Sequence, residues 1–179
     1  YHLRPLHAGY FASLLAVGWT AASLTTAHWH GAAERRSIVG GPLLVAVMTL
    51  VLLFGLGTLP PTLLGAALVT LGFGVGALSI HLIAFTMQHA AAGEESITAG
   101  SIPTVRTLGI AFGSALAGVI ATLAGLSAHV AADLVRTAVG AVYATSSVVA
   151  LLQVLLAWRL LHVAPARLGT DAPSTSTTA

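Results

Sequence analysis

Long runs without Asp, Glu, Lys or Arg dominate this chain, and their lengths predict its elements. Residues 8–27 carry none of the four. At 1.5 Å per residue, that is enough helix to cross about 30 Å of hydrocarbon. Residues 37–93 carry none either, a run too long for one crossing and long enough for two. Pro60-Pro61 divides it, because proline lacks a backbone donor and disfavours helix in the residue before it. Two further apolar stretches follow, one opened by Arg106 and one after Arg136. The pattern therefore predicts an all-α, polytopic membrane protein with spans at about 8–27, 38–58, 62–87, 105–126 and 137–162. Together these make a transmembrane domain over 1–162. Residues 163–179, rich in Pro, Ser, Thr and Ala, read as a disordered tail.

The spans differ in character. The middle of the second, Leu43–Phe54, is aliphatic all round and suits a lipid-facing helix. The third is richer in glycine and suits packing against protein; its GFGVG at 72–76 reads as a packing surface or a flexible point. In the fourth, Gly109, Gly113, Ala117, Ala121 and Gly125 recur every four residues. Such a stripe lies on one helix face and lets another helix approach closely, which is how helices pack in lipid. Residues 88–104 hold Glu94, Glu95, Gly93, Gly100 and Pro103, and predict a short interfacial helix or an extension of the fourth span. The fifth starts small and polar, with Thr145, Ser146 and Ser147, and ends at Trp158-Arg159, an interfacial anchor pair.

Composition narrows the class. The chain is 56% hydrophobic and 7% charged, where a soluble domain carries about 25% charge. All seven basic residues are Arg and are scattered outside the spans, which speaks against nucleic acid as a partner. Five of them, Arg35, Arg36, Arg106, Arg159 and Arg167, fall on one side, and only Arg4 and Arg136 on the other. The positive-inside rule makes the five-Arg side cytoplasmic. The expected location is the cell (inner or plasma) membrane, N-terminus outside and tail inside. There is no cysteine, hence no thiolate metal site. His28 and His30 stand two residues apart, off a common helix face and without a third ligand, so no metal and no cofactor are expected. No GxSxG, HExxH or P-loop occurs, and GFGVG sits inside a span rather than after a strand. The chain reads as not an enzyme. It opens at Tyr1 without a signal peptide, which reads as a piece of a longer chain.

Residues 94–118 resemble the major facilitator superfamily, and within it the drug:proton antiporter branch. The elements that carry the resemblance are Glu95, Ile97, Thr98-Ala99-Gly100, Arg106, Leu108-Gly109 and Gly113-Ser114-Ala115. GFGVG, the TMQHA at 86–90 and the opening LRPLHAGYFA also look like family stretches, with Arg4 in a usual Ser position. The loop HGAAERR resembles a degenerate copy of the family's cytoplasmic loop motif, with Ala33 where Gly is usual; Ser96 likewise replaces a Gly. The resemblance covers about residues 1–165. It implies the last five helices of a multidrug efflux transporter, part of a C-terminal six-helix bundle. It also implies proton-coupled export of drugs or small lipophilic molecules by alternating access. The implied partners are the lipid bilayer, the missing N-terminal helices, a small-molecule substrate and protons.

No Asp or Glu lies inside a span, and Arg106 and Arg159 stand near span ends, so the coupling acid of an antiporter is expected elsewhere. Cavity candidates are Trp19, Thr20, Ser79 and His81. His81 would contact a proton or substrate, or else make a packing hydrogen bond to Ser or Thr. By resemblance, spans one, three and four face the cavity, and the Trp19 ring suits flat lipophilic cations. Arg106 anchors a helix end at the interface or forms a gating ion pair with Glu94 or Glu95. The alternative to a transporter is a self-contained five-helix membrane protein with a structural or partner-binding role.

Overall fold

The computed structural model describes residues 5–55, 57–125 and 132–168. They form five helices: α1 (Pro5–Thr26), α2 (Ala32–Gly55), α3 (Pro61–Gln88), α4 (Glu95–Leu123) and α5 (Ala132–Leu168). No strand occurs among the described residues. Four helices are long and apolar enough to cross a membrane: α2, α3, α4 and the Leu134–His162 part of α5. The predicted first span is a helix too, though α1 lies outside that set of four, its apolar run being diluted by Ser, Thr and Gly.

The breaks fall where local chemistry demands. Pro60 caps α3 in an extended conformation and Pro61 occupies its first turn, where a missing N–H costs nothing. Gly57 and Gly93 turn the chain with φ of 83° and 87°, a region that side-chain-bearing residues rarely enter. Helix ends depart from the apolar runs. α2 begins at Ala32, so Glu34, Arg35 and Arg36 stand in its first two turns and not in a loop. α4 begins at Glu95, which makes most of the 88–104 linker an extension of the fourth span. Gly125 lies past the end of α4 at φ 96°, with Leu134 beside it, and so is not part of the helical stripe. The backbone of α5 continues to Leu168, helical at positions expected in the tail; 169–179 and the turn at 126–131 lie outside the described residues.

α3 is the centre. It packs against α1 on one side and α2 on another, and touches α4 lightly. α2 also packs on α5, and α5 on α4. α2, α3, α4 and α5 thus form a ring, with α1 outside it against α3. The apolar core follows the α2–α3–α5 side. Ile38, Phe85 and Ala157 form one cluster, and Leu52, Ala67 and Leu71 another, with Met48, Val75 and Tyr143 against it. α2 is therefore an inner helix on two sides, although Leu43, Val47, Val51 and Phe54 remain exposed. Its burial against α5 is fixed by a buried hydrogen bond, Ser147 Oγ to Thr49 Oγ1 at 3.0 Å.

The closest helix approaches use glycine. A Cβ on Gly18 would collide with the Val69 carbonyl, and one on Gly72 with the Leu15 carbonyl, so α1 and α3 touch backbone to backbone. Gly41 and Gly74 do the same for α2 and α3, a Cβ on either falling 2.8–2.9 Å from the other's carbonyl oxygen. GFGVG is thus a packing surface with two faces: Gly72 and Gly76 toward α1, Gly74 toward α2. In α4 no residue is buried, and nothing lies within 4 Å of a Cβ placed on Gly109 or Gly113.

Candidate functional site

Three cavities line the ring. The first, about 410 Å³, lies between Val45 of α2, Val75–Ser79 of α3, Gly113–Ile120 of α4 and Val142–Gln153 of α5. The second, about 570 Å³, is bounded by Ile38, Pro42, Leu78, Leu82, Gln153 and Arg159 among others. The third, about 390 Å³, lies between α3 and α4 and holds Ser79, Leu82, Thr86, Ser101 and Arg106. Leu78 and Gln153 line both the first and the second, Ser79 the first and third, and Leu82 the second and third. Together they make one region of adjoining cavities, with Arg159 lining the second and Arg106 the third.

Its walls are mostly apolar, and its hydroxyls are already engaged. Ser79 donates to the Val75 carbonyl (2.7 Å), Thr145 to that of Ala141 (2.9 Å) and Ser146 to that of Val142 (2.8 Å). Each hydroxyl is satisfied by its own helix, which lowers the cost of placing it in an apolar setting. Gln153 differs, because its amide has no protein partner among the described residues. The space therefore offers a guest an apolar wall, one open amide and two guanidinium groups. That is the chemistry of a site for lipophilic molecules with few polar anchors.

The expected site residues separate. Ser79 is in the cavity wall. Trp19 lines none of the three cavities; the guanidinium of Arg106, which lines the third, is 5.7 Å from its ring centroid. Thr20 is exposed on α1 and lines none of the three cavities. His81 faces away from them. It is buried to 2% exposure, its ring stacked at 6.2 Å and 12° on Trp29 of the turn between α1 and α2. Gly113 and Ala117 line the first cavity, whereas Gly109 meets nothing. Glu94 holds the N-cap position of α4 without a side-chain capping bond, Glu95 opens the helix, and Glu95 Oε2 accepts from the Gly93 N–H at 3.1 Å. Acidic groups at a helix N-terminus are favoured by its dipole. Arg106 lies eleven residues further along the same helix, about 16 Å by helical rise, so an ion pair between it and Glu95 does not form. Trp19 is its ring partner instead.

Two residues escaped the sequence reading. Gln153 was visible in principle. Val142, Thr145, Ser146, Val149 and Gln153 recur at helical spacing and mark one face of α5. Glu34 was not. It is 7% exposed and accepts, at 3.5 Å, from Gln88 Nε2 of α3.

The described residues thus make an all-helical protein with four helices long and apolar enough to span a membrane and adjoining apolar cavities between them. The chain is 33% identical over 135 residues to a probable multidrug-efflux transporter of Mycobacterium tuberculosis, recorded in the CDC 1551 and H37Rv strains. The match takes in 69% of this chain and 27% of the relative, so the chain spans about a quarter of that protein's length. No protein-family model matches the chain, and no solved structure matches it significantly.

Proposed function

We propose that this chain is the C-terminal part of a major facilitator transporter that exports drugs or small lipophilic molecules. Its five helices, α1 included, would span the membrane, with the N-terminus outside, α4 facing the missing helices and 163–179 cytoplasmic. The observation that carries this reading is α4. It is apolar enough to span, entirely unburied, and borders a lipophile-sized cavity. No residue of α4 is buried within this chain, which leaves it room for further helices, and the similarity to an efflux transporter of which the match takes in only 27% supports their being of the same chain. Alternating access would rock this bundle against its counterpart around the shared site. Arg106 lies over the Trp19 ring that a lipophilic cation would use. The guests that fit beside it are neutral or carry an acidic group.

The test is reconstitution of the full product of the encoding gene in liposomes, beside the 179-residue chain. An imposed proton gradient should drive flux of a lipophilic dye with the full product and none with the chain alone. Flux through the chain by itself, or a reading frame that starts beside the Tyr1 codon, overturns the reading and favours a self-contained helical protein. Flux that persists without a proton gradient keeps the transporter and removes the coupling.

A further inference from the structure

Hydroxyls on these helices return to their own backbone, as those of Ser79, Thr145 and Ser146 do. Ser37, in the second turn of α2, breaks that habit. It is 6% exposed, and its Oγ has no hydrogen-bond partner. It lines a fourth cavity, of about 170 Å³, between the start of α2, the α1–α2 turn and α3. Two further donors line the same cavity. Arg36 brings its guanidinium and Trp29 its indole N–H, and neither has an acceptor among the described residues. No carboxylate lines the cavity. Glu34, the acidic group nearest in sequence, accepts from Gln88 of α3 instead. A buried hydroxyl without a partner is uncommon in native proteins and asks for a ligand. Beside two groups that can only donate, that ligand must accept hydrogen bonds, and beside a guanidinium it is best an anion.

The rest of the cavity says which kind of anion. Past Ser37 its floor is Gly40 and Gly41, and a Cβ placed on Gly40 would meet nothing within 4 Å. Its far end is Leu44 and Phe73. From Arg36 to Leu44 is about 12 Å of helical rise. The cavity thus runs from a cation to hydrocarbon along a helix long and apolar enough to cross a membrane. Val47, one turn past Leu44, is exposed and extends the apolar track. Arg36 is the last charged residue before the charge-free run at 37–93, and a Trp beside such a boundary sits at the level of lipid headgroups. We infer that this cavity holds the phosphate of an anionic phospholipid, with an acyl chain laid past Gly40 toward Val47. Arg36 takes two phosphate oxygens with its fork of N–H donors, and Ser37 and Trp29 donate to the others. A choline headgroup would set a second cation beside Arg36, so the site selects anionic lipids. Free phosphate shares the polar end of the site and makes no use of the track. The site needs α2 and α3 to lie in a bilayer and does not need transport.

Trp29 lies in the site and reports on it. The chain holds three Trp, so Trp19→Phe with Trp158→Phe leaves Trp29 as the sole indole. To the full chain in detergent micelles one adds phospholipid brominated near the head of its acyl chains, because bromine quenches indole emission at short range. Phosphatidylglycerol should reach half-quenching at a concentration about fivefold or more below phosphatidylcholine, the factor that one basic side chain supplies near a membrane surface. Arg36→Gln should bring the two curves together. Arg35→Gln removes the same charge one residue away, outside the cavity, and should leave the preference standing. Ser37→Ala should reduce it by about twofold or more. Equal curves in the parent overturn the proposal, as does a preference that Arg36→Gln keeps or Arg35→Gln abolishes. Inorganic phosphate should relieve the quenching no better than chloride at equal ionic strength; full relief makes this a site for the free ion and overturns the lipid. Should Arg36→Gln lose its helical circular dichroism, Ser37→Ala decides, and an unmoved preference overturns the site. No transport is measured, so failure here leaves the export reading intact, and failure of export leaves the lipid site intact.

Discussion

α3 and α4 are nearly equal in length and both carry glycine at helical spacing, yet they live in opposite surroundings. On α3, every glycine from Gly65 to Gly76 is buried, and a methyl group at Gly72 would collide with a neighbouring backbone. On α4, no residue is buried and the glycine faces are open. Glycine in a helix is conformationally costly, by about 1 kcal/mol against alanine. On α3 that cost is offset inside this chain, by backbone contact with α1 and α2. On α4 nothing in the chain offsets it. A small-residue stripe thus states that a close partner exists, and only the fold says whether the partner is already present.

The largest expected effect comes from breaking the tight side of this comparison. Gly72→Leu puts a branched side chain where the Leu15 backbone lies, and a backbone cannot move aside as a rotamer can. Overpacking a core costs about 1–3 kcal/mol when side chains can yield, so this change should exceed that range and separate α1 from α3. In detergent micelles, the variant should lose its cooperative unfolding transition. A melting curve like that of the parent would mean that α1 does not pack on α3 as described.

A smaller effect probes the α2–α5 seam. Ser147→Ala removes the hydroxyl that meets Thr49, while Thr49 keeps its own carbonyl partners at Val45 and Ala46, both at 2.9 Å. No buried group is orphaned, so the loss should be near the average for interhelical hydrogen bonds in membranes, about 0.6 kcal/mol. Denaturant titration of Ser147→Ala beside Thr49→Val checks it. A loss of several kcal/mol would show that the seam depends on a wider polar network.

The helices themselves were legible because each contains a long stretch without charge, and the Pro60-Pro61 break because proline punctuates any helix. Their ends were not. A hydropathy pattern sees the membrane, not the backbone hydrogen bonds, so the polar turn at 32–37 was read as a loop although it is helical, whereas 88–104 was left between an interfacial helix and the extension of α4 that its residues from Glu95 onward form. The burial of Glu34 followed from that error. In a loop it is a solvated charge, but in the first turn of α2 it is buried against α3 and accepts from Gln88. Ser79 lines the first and third cavities and His81 lines none of the three, though they are two residues apart. Residues two apart on a helix point about 200° away from each other, and only the packing of α1 tells which of them faces the cavity. The GFGVG glycines illustrate the same limit, since periodicity finds their faces and tertiary structure names the partners.

The smallest effect is the most informative for α4. Gly113→Ala adds a methyl group where nothing lies within 4 Å. In this chain the change should be neutral or stabilising by up to about 1 kcal/mol, through helix propensity alone. In the full-length protein, if other helices seat on that face, the same methyl should obstruct them and reduce transport. The contrast between the two settings separates an interface from a lipid-facing surface, because a lipid tail accommodates a methyl and a packed backbone does not. Equal behaviour in both would place α4 against lipid and remove the main support for a partner bundle. Gly109→Ala, one helical turn away and equally open, repeats the measurement at a second position. Opposite signs in chain and full protein at both positions would map the missing contact to one helix face.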